Sequence, residues 1–258
     1  MSVTRRVWPS LSLSLLLATA ACGDGPVSPG DILDDLTETF ETQNVVFHYS
    51  RGDSVDSSWQ QSYHDWITDL LGVQLPVKLR FYKYTSRSQL AAITGMETNG
   101  FAEPEVYSLH TIWPYDGHEA AHVYLALVGK PSNFFNEGLA VALATDPGLT
   151  VWNSRWNGTP VYAHTQLLIS TNRLLPLSSM LTTDDFRGVD EWVSYGESGS
   201  FCLYLIEQYG IGPMLQFVGM SSQFDSRARI ESNMRAVWGQ DLATLEAAWL
   251  EFINGWSG

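Results

Sequence analysis

Cysteine is almost missing from this chain. Two residues in 258, Cys22 and Cys202, are too few for a disulfide framework. Basic charge is also scarce: 14 Lys and Arg stand against 28 Asp and Glu, a net charge of −14. That balance does not favour nucleic acid or an anionic membrane surface, so neither is expected as an electrostatic partner. No internal repeat is present, which argues against a solenoid or propeller array. The apolar run Leu11–Leu17 is too short to span a bilayer. By contrast, 45% of the residues are hydrophobic and ten are Trp, the composition of a packed globular protein.

The N-terminus reads as an export signal over residues 1–21. Arg5 and Arg6 precede the apolar run, and the small residues Ala18-Thr19-Ala20-Ala21 lead to Cys22. Ala20-Ala21-Cys22 resembles a bacterial lipoprotein signal, with Thr19 where an aliphatic residue is usual. The resemblance implies that Cys22 becomes the lipidated first residue of an exported, membrane-anchored protein facing the periplasm or cell exterior. An ordinary signal cut nearby is the alternative. Removing residues 1–21 leaves 12 basic and 28 acidic residues, a net charge of −16. A field of that sign favours cationic peptides or serves solubility. Residues 22–42 are expected to tether the domain, the Gly- and Pro-containing stretch 23–36 being flexible. Cys202, in Phe201-Cys202-Leu203-Tyr204-Leu205-Ile206, reads as a small buried hydrophobe. A Cys22–Cys202 bridge would tie the tether to a core helix.

The chemistry concentrates in two segments. His118-Glu119-Ala120-Ala121-His122 spaces two histidines four apart, so on a helix both imidazoles share one face and can hold one metal. Glu119 starts beside that face, where a carboxylate can accept a proton from an activated water. A third ligand must come from elsewhere. Glu137, in Asn136-Glu137-Gly138-Leu139-Ala140, begins the next apolar helical run. Two His, one Glu and an open position form a catalytic zinc pattern, whereas structural sites are usually closed by four protein ligands. Asp116-x-x-Glu119 also fits a capping box, which would occupy Glu119 structurally.

These segments resemble the gluzincin metallopeptidases, the superfamily of thermolysin and the zinc aminopeptidases. The run Phe134–Leu143 is similar to the bacterial peptidase MA-like domains. The resemblance is sharp over 111–145 and looser over 43–110 and 176–210, where Tyr195-Gly196-Glu197-Ser198-Gly199-Ser200-Phe201 also looks family-like. It implies zinc on His118, His122 and Glu137, Glu119 as general base, and a peptide or protein substrate. Tyr195 lies where related enzymes supply an oxyanion donor, with His164 as runner-up. One position departs: the thermolysin pattern has an Asp four residues after the ligand Glu, orienting a ligand His, and here that residue is Val141. Gly95-Met96-Glu97-Thr98-Asn99 is similar to the Gly-x-Met-Glu-Asn segment of zinc aminopeptidases, but Thr98 interrupts it and a Gly-Asn loop reads more simply.

The expected fold class is α+β: a thermolysin-like zincin with a mixed α/β lobe over 43–131, a mainly helical lobe over 132–258, and zinc in the cleft between them. Strands are expected at 44–49, 76–84 and 106–113; the resemblance implies that the last borders the cleft and pairs with the substrate backbone. Helices are expected at 56–71, 86–94, 115–129, 133–145, 160–170, 192–209, 211–220, 227–238 and 241–254. His110 is expected beside the cleft, and His48 and His64 among structural aromatics. The readings that compete with a peptidase are a non-catalytic lipoprotein using the fold as a binding module and a zinc hydrolase of cell-wall amides. The oligomeric state is not readable from the chain.

Overall fold

The computed structural model describes residue 32 and residues 34–258. The signal, Cys22 and most of the tether lie outside them. The fold is α+β, with a five-stranded mixed sheet in the first half and helices dominating the second.

The sheet begins earlier than the expected domain start at residue 43. Glu38–Glu41 forms strand β1, antiparallel to β2 (Val45–Tyr49). An exposed edge strand has no apolar alternation to announce it; only Phe40 packs, 6.3 Å from the Phe47 ring. Ile32 and Leu36 are buried against Tyr82, Tyr84 and Leu90. This part of the presumed tether therefore covers one face of the sheet.

Strands β3 (Leu79–Lys83), β4 (Gly100–Glu103) and β5 (Ser108–Thr111) complete the order β1-β2-β3-β5-β4. The inner strands β2, β3 and β5 are parallel, and antiparallel β1 and β4 form the edges. The position of β5 corrects an expectation. The strand preceding the His118–His122 segment is flanked on both sides, so it has no free edge; the edge on that side of the sheet is β4, for which no strand is expected from the sequence. Gly100-Phe101-Ala102-Glu103 carries little β propensity and is held by its pairing with β5.

Helix α1 (Ser57–Leu71) starts where the Asp56 side chain accepts the Trp59 N–H. It ends at Gly72, whose φ of 65° suits a residue without Cβ. Helix α2 (Arg87–Thr94) lies between β3 and β4. Helices α3 (Gly117–Leu125) and α4 (Asn133–Leu143) carry the two motif segments. A hairpin of β6 (Arg155–Trp156) and β7 (Thr159–Pro160) turns through Asn157-Gly158, both at positive φ, the preferred chemistry for a two-residue hairpin loop. The remaining helices are α5 (Val161–Ser170), α6 (Thr183–Arg187), α7 (Glu191–Tyr209), α8 (Ile211–Met220), α9 (Arg227–Trp238) and α10 (Leu242–Gly255). No helix among the described residues is long and apolar enough to cross a membrane.

One hydrophobic cluster runs from Val45 in β2 to Ile253 in α10. Within it α4 crosses α7 at close range. A Cβ on Gly138 would lie 2.7 Å from the Ser198 carbonyl and 2.8 Å from Cys202 Sγ, and one on Gly199 would lie 2.4 Å from Val141 Cγ1. Glycines at these two sites let the helix backbones approach, and that approach fixes where Glu137 and Tyr195 stand. Cys202 is a free thiol fully buried at this contact, and burial pushes its pKa up.

Candidate metal centre and active site

Helix α3 is pinned at its first turn. Asp116 Oδ1 accepts the Glu119 N–H at 3.0 Å, Oδ2 accepts the Thr111 hydroxyl at 2.7 Å, and the Asp116 N–H donates to Gln60 Oε1 at 3.0 Å. The cap thus ties the helix to the end of β5 and to α1. Only half of the capping box forms, because Gln60 takes the N–H that a Glu119 carboxylate would return to. The Glu119 side chain instead lines a cavity of about 870 Å³.

Periodicity then places His118 and His122 one turn apart on one face, rings 4.9 Å apart and nearly perpendicular. Glu137 enters from the first half of α4. Its Oε2 lies 3.4 Å from His118 Nε2 and 3.1 Å from His122 Nε2. The three residues offer ligand atoms that all lie within 4.8 Å of one another. Two imidazole nitrogens and a carboxylate oxygen, converging on the wall of a polar cavity, suit a borderline cation such as zinc.

Without a cation these groups neutralise one another. Burial opposes a charge on His122, but Glu137 and Glu119 outweigh it and lift the imidazole to about 9. Burial likewise opposes charge on Glu137, yet the two imidazoles hold its carboxyl well below the usual range. Glu119 is pushed up to about 7, first by burial and then by Asp116 and Glu137, with His118 and His122 pulling the other way. A divalent cation at this point reverses that logic, favouring neutral imidazoles and ionised carboxylates.

Tyr195 reaches the same cavity from α7. Its ring lies 6.2 Å from His118 and stacks on Trp156 at 4.7 Å. Burial first, and then the Glu137 carboxylate, raise its pKa, so the hydroxyl stays a donor at neutral pH.

His164, the other oxyanion candidate, is not at the cavity. It is buried, and its ring nitrogen Nε2 lies 2.7 Å from the Trp192 carbonyl, set to donate to it. His110 is in β5 but turned from the cavity: Nε2 lies 3.0 Å from Glu103 Oε2 and Nδ1 lies 2.8 Å from the Tyr84 hydroxyl. His48 stacks on Tyr82, and His64 Nδ1 meets the Tyr124 hydroxyl at 2.7 Å, both structural roles.

Other residues of the site escape a sequence reading. Val141 is spent on packing against Gly199, and the side chain that His122 Nε2 meets is Glu137 itself, at 3.1 Å. The β6–β7 hairpin brings Arg155, Trp156 and Asn157 to the cavity, and α6 brings Arg187. The signal for the hairpin is the Asn157-Gly158 pair itself. Gly100 on β4 touches the centre directly: a Cβ there would lie 3.1 Å from both Cγ and Oε1 of Glu119.

No family model and no curated protein matches this chain.

Proposed function

We propose that this protein is a zinc-dependent peptidase of the gluzincin type. The observation that carries the reading is the convergence of His118, His122 and Glu137 beside a Glu119 carboxylate that its own helix cap leaves free. The sheet with α3 and the helices from α4 onward are read as the two walls of a thermolysin-like cleft.

When bound by His118, His122 and Glu137, zinc supplies Lewis acidity and lowers the pKa of a water toward about 7. Glu119 accepts the proton of the attacking water and passes it to the leaving amine. The Tyr195 hydroxyl donates to the oxyanion that develops on the scissile carbonyl. Strand β4, the sheet edge at the cavity, supplies backbone groups that hold the peptide extended. Asp116 fixes the first turn of α3 and so the direction of the Glu119 side chain.

With the export signal, this reading makes the protein a bacterial lipoprotein anchored through Cys22 and acting on peptides outside the cytoplasm. Mass spectrometry of the mature N-terminus tests the anchor; an unmodified start at another residue removes it and leaves the enzyme reading intact. Profiling the protein against a mixed-sequence peptide library, before and after chelation, tests the activity. Cleavage that chelation abolishes and zinc restores is expected. A binding module would retain zinc and cleave nothing.

A further inference from the structure

The edge of β4 is shorter than its length suggests. In β5 the carbonyls of Tyr107 and Thr111 accept from Arg80 and Tyr84, so Tyr107, Leu109 and Thr111 address β3, while the Ile112 N–H donates to the Asn99 carbonyl. By alternation Asn99, Phe101 and Glu103 turn their backbone groups to β5, and Gly100 and Ala102 turn theirs to the free edge.

Of these outward groups, those of Gly100 are already engaged. The Thr98 hydroxyl donates to the Gly100 carbonyl at 2.9 Å and lies 3.4 Å from the Gly100 nitrogen. The next outward position after Ala102 is Pro104, which has no N–H and whose carbonyl accepts from Tyr107 at 3.3 Å. Ala102 alone presents an unengaged N–H and C=O, one residue along the strand from the Phe101 pairing and two from the Gly100 that touches Glu119.

We propose that Thr98 is a specificity-determining residue that, with Pro104, restricts peptide pairing to the single residue Ala102 and so selects short peptides. The inference rests on the peptidase reading. A peptide held by two backbone hydrogen bonds gains nothing from further extended residues, because the edge offers them no partner. Removing the Thr98 hydroxyl opens a second pairing position beside the general base.

The test starts from the library peptide that the parent cleaves fastest, end-blocked and trimmed stepwise from each end. The parent and Thr98→Ser should show kcat/KM that stops rising once the residue opposite Ala102 is present. Thr98→Ala should gain roughly 3- to 10-fold with peptides long enough to reach Gly100, the worth of about one hydrogen bond. Amide exchange gives a readout independent of turnover. In the Glu119→Gln background the same peptide should slow exchange at Ala102, and at Gly100 only when Thr98→Ala is added. A Thr98→Ala variant with the parental length profile, or slowed exchange at Gly100 in the presence of Thr98, overturns the inference and leaves the peptidase reading standing. If no peptide is cleaved and none slows exchange at Ala102, the peptidase reading falls and takes the inference with it.

Discussion

Gly138 faces the Ser198 carbonyl so closely that a Cβ would sit 2.7 Å from it. The neighbour is backbone, which cannot swing away as a flexible side chain can. Gly138→Ala should therefore force α4 and α7 apart and destabilise by about 1–3 kcal/mol, as overpacking does. Glu137 precedes Gly138, so zinc affinity should fall with it. Gly219 in α8 would place a Cβ no nearer than 3.9 Å to the Val128 carbonyl, and Gly219→Ala should be neutral or stabilising by up to about 1 kcal/mol. Urea denaturation of the two variants, with zinc titration of the first, checks both outcomes.

Glu197 gives a pH dependence of known sign. It is fully buried in α7, Oε2 accepts the Leu175 N–H at 3.2 Å, and Oε1 has no partner. Burial lifts its pKa from the ordinary carboxylate value of 4.5 to about 8, while the Leu175 N–H opposes the rise. The folded protein binds a proton that the unfolded chain has released between these values, so stability falls as pH rises through that window. Glu197→Gln should flatten the fall and leave a variant more stable than the parent at pH 8, by on the order of 2–3 kcal/mol. Thermal unfolding from pH 5 to pH 8.5 measures it; a parental slope in the variant assigns the dependence elsewhere.

The ligand assignment predicts about one zinc per chain. His118→Ala and His122→Ala should lose most of it, and Glu137→Gln should weaken binding because a neutral amide is a poorer ligand than a carboxylate. Elemental analysis of protein purified without chelator decides this. Full zinc in both His variants would remove the assignment.

Tyr195→Phe should keep zinc and lose roughly 10²-fold in turnover if its hydroxyl meets the oxyanion. Since His164 is committed to the Trp192 carbonyl, a parental rate in Tyr195→Phe would move the role to backbone donors.

Much of this site is legible in the sequence because its signals are local. The four-residue spacing of His118 and His122, the apolar run around Glu137, and Gly72 ending α1 each need only neighbouring residues to be read. What stays hidden depends on distant partners. Strand β4 exists through its pairing with β5, and β1 through its pairing with β2, with little pattern of their own. Half of the capping box at Asp116 is cancelled by Gln60, 56 residues away. Val141 looks like a missing carboxylate behind a histidine until Gly199 is seen against it. The Asn157-Gly158 hairpin is the exception: its turn signal is local, and it announces the loop that carries Trp156 to Tyr195.

The role of Glu119 is the central claim, and turnover of Glu119→Gln at matched zinc content tests it most directly. The side chain lies outside the His118, His122 and Glu137 group and does not complete the helix cap, so the variant should fold and keep its zinc. Peptide cleavage should fall by roughly 10²-fold or more, as expected for loss of a general base. A Glu119→Gln protein that holds zinc and cleaves at the parental rate would contradict the account.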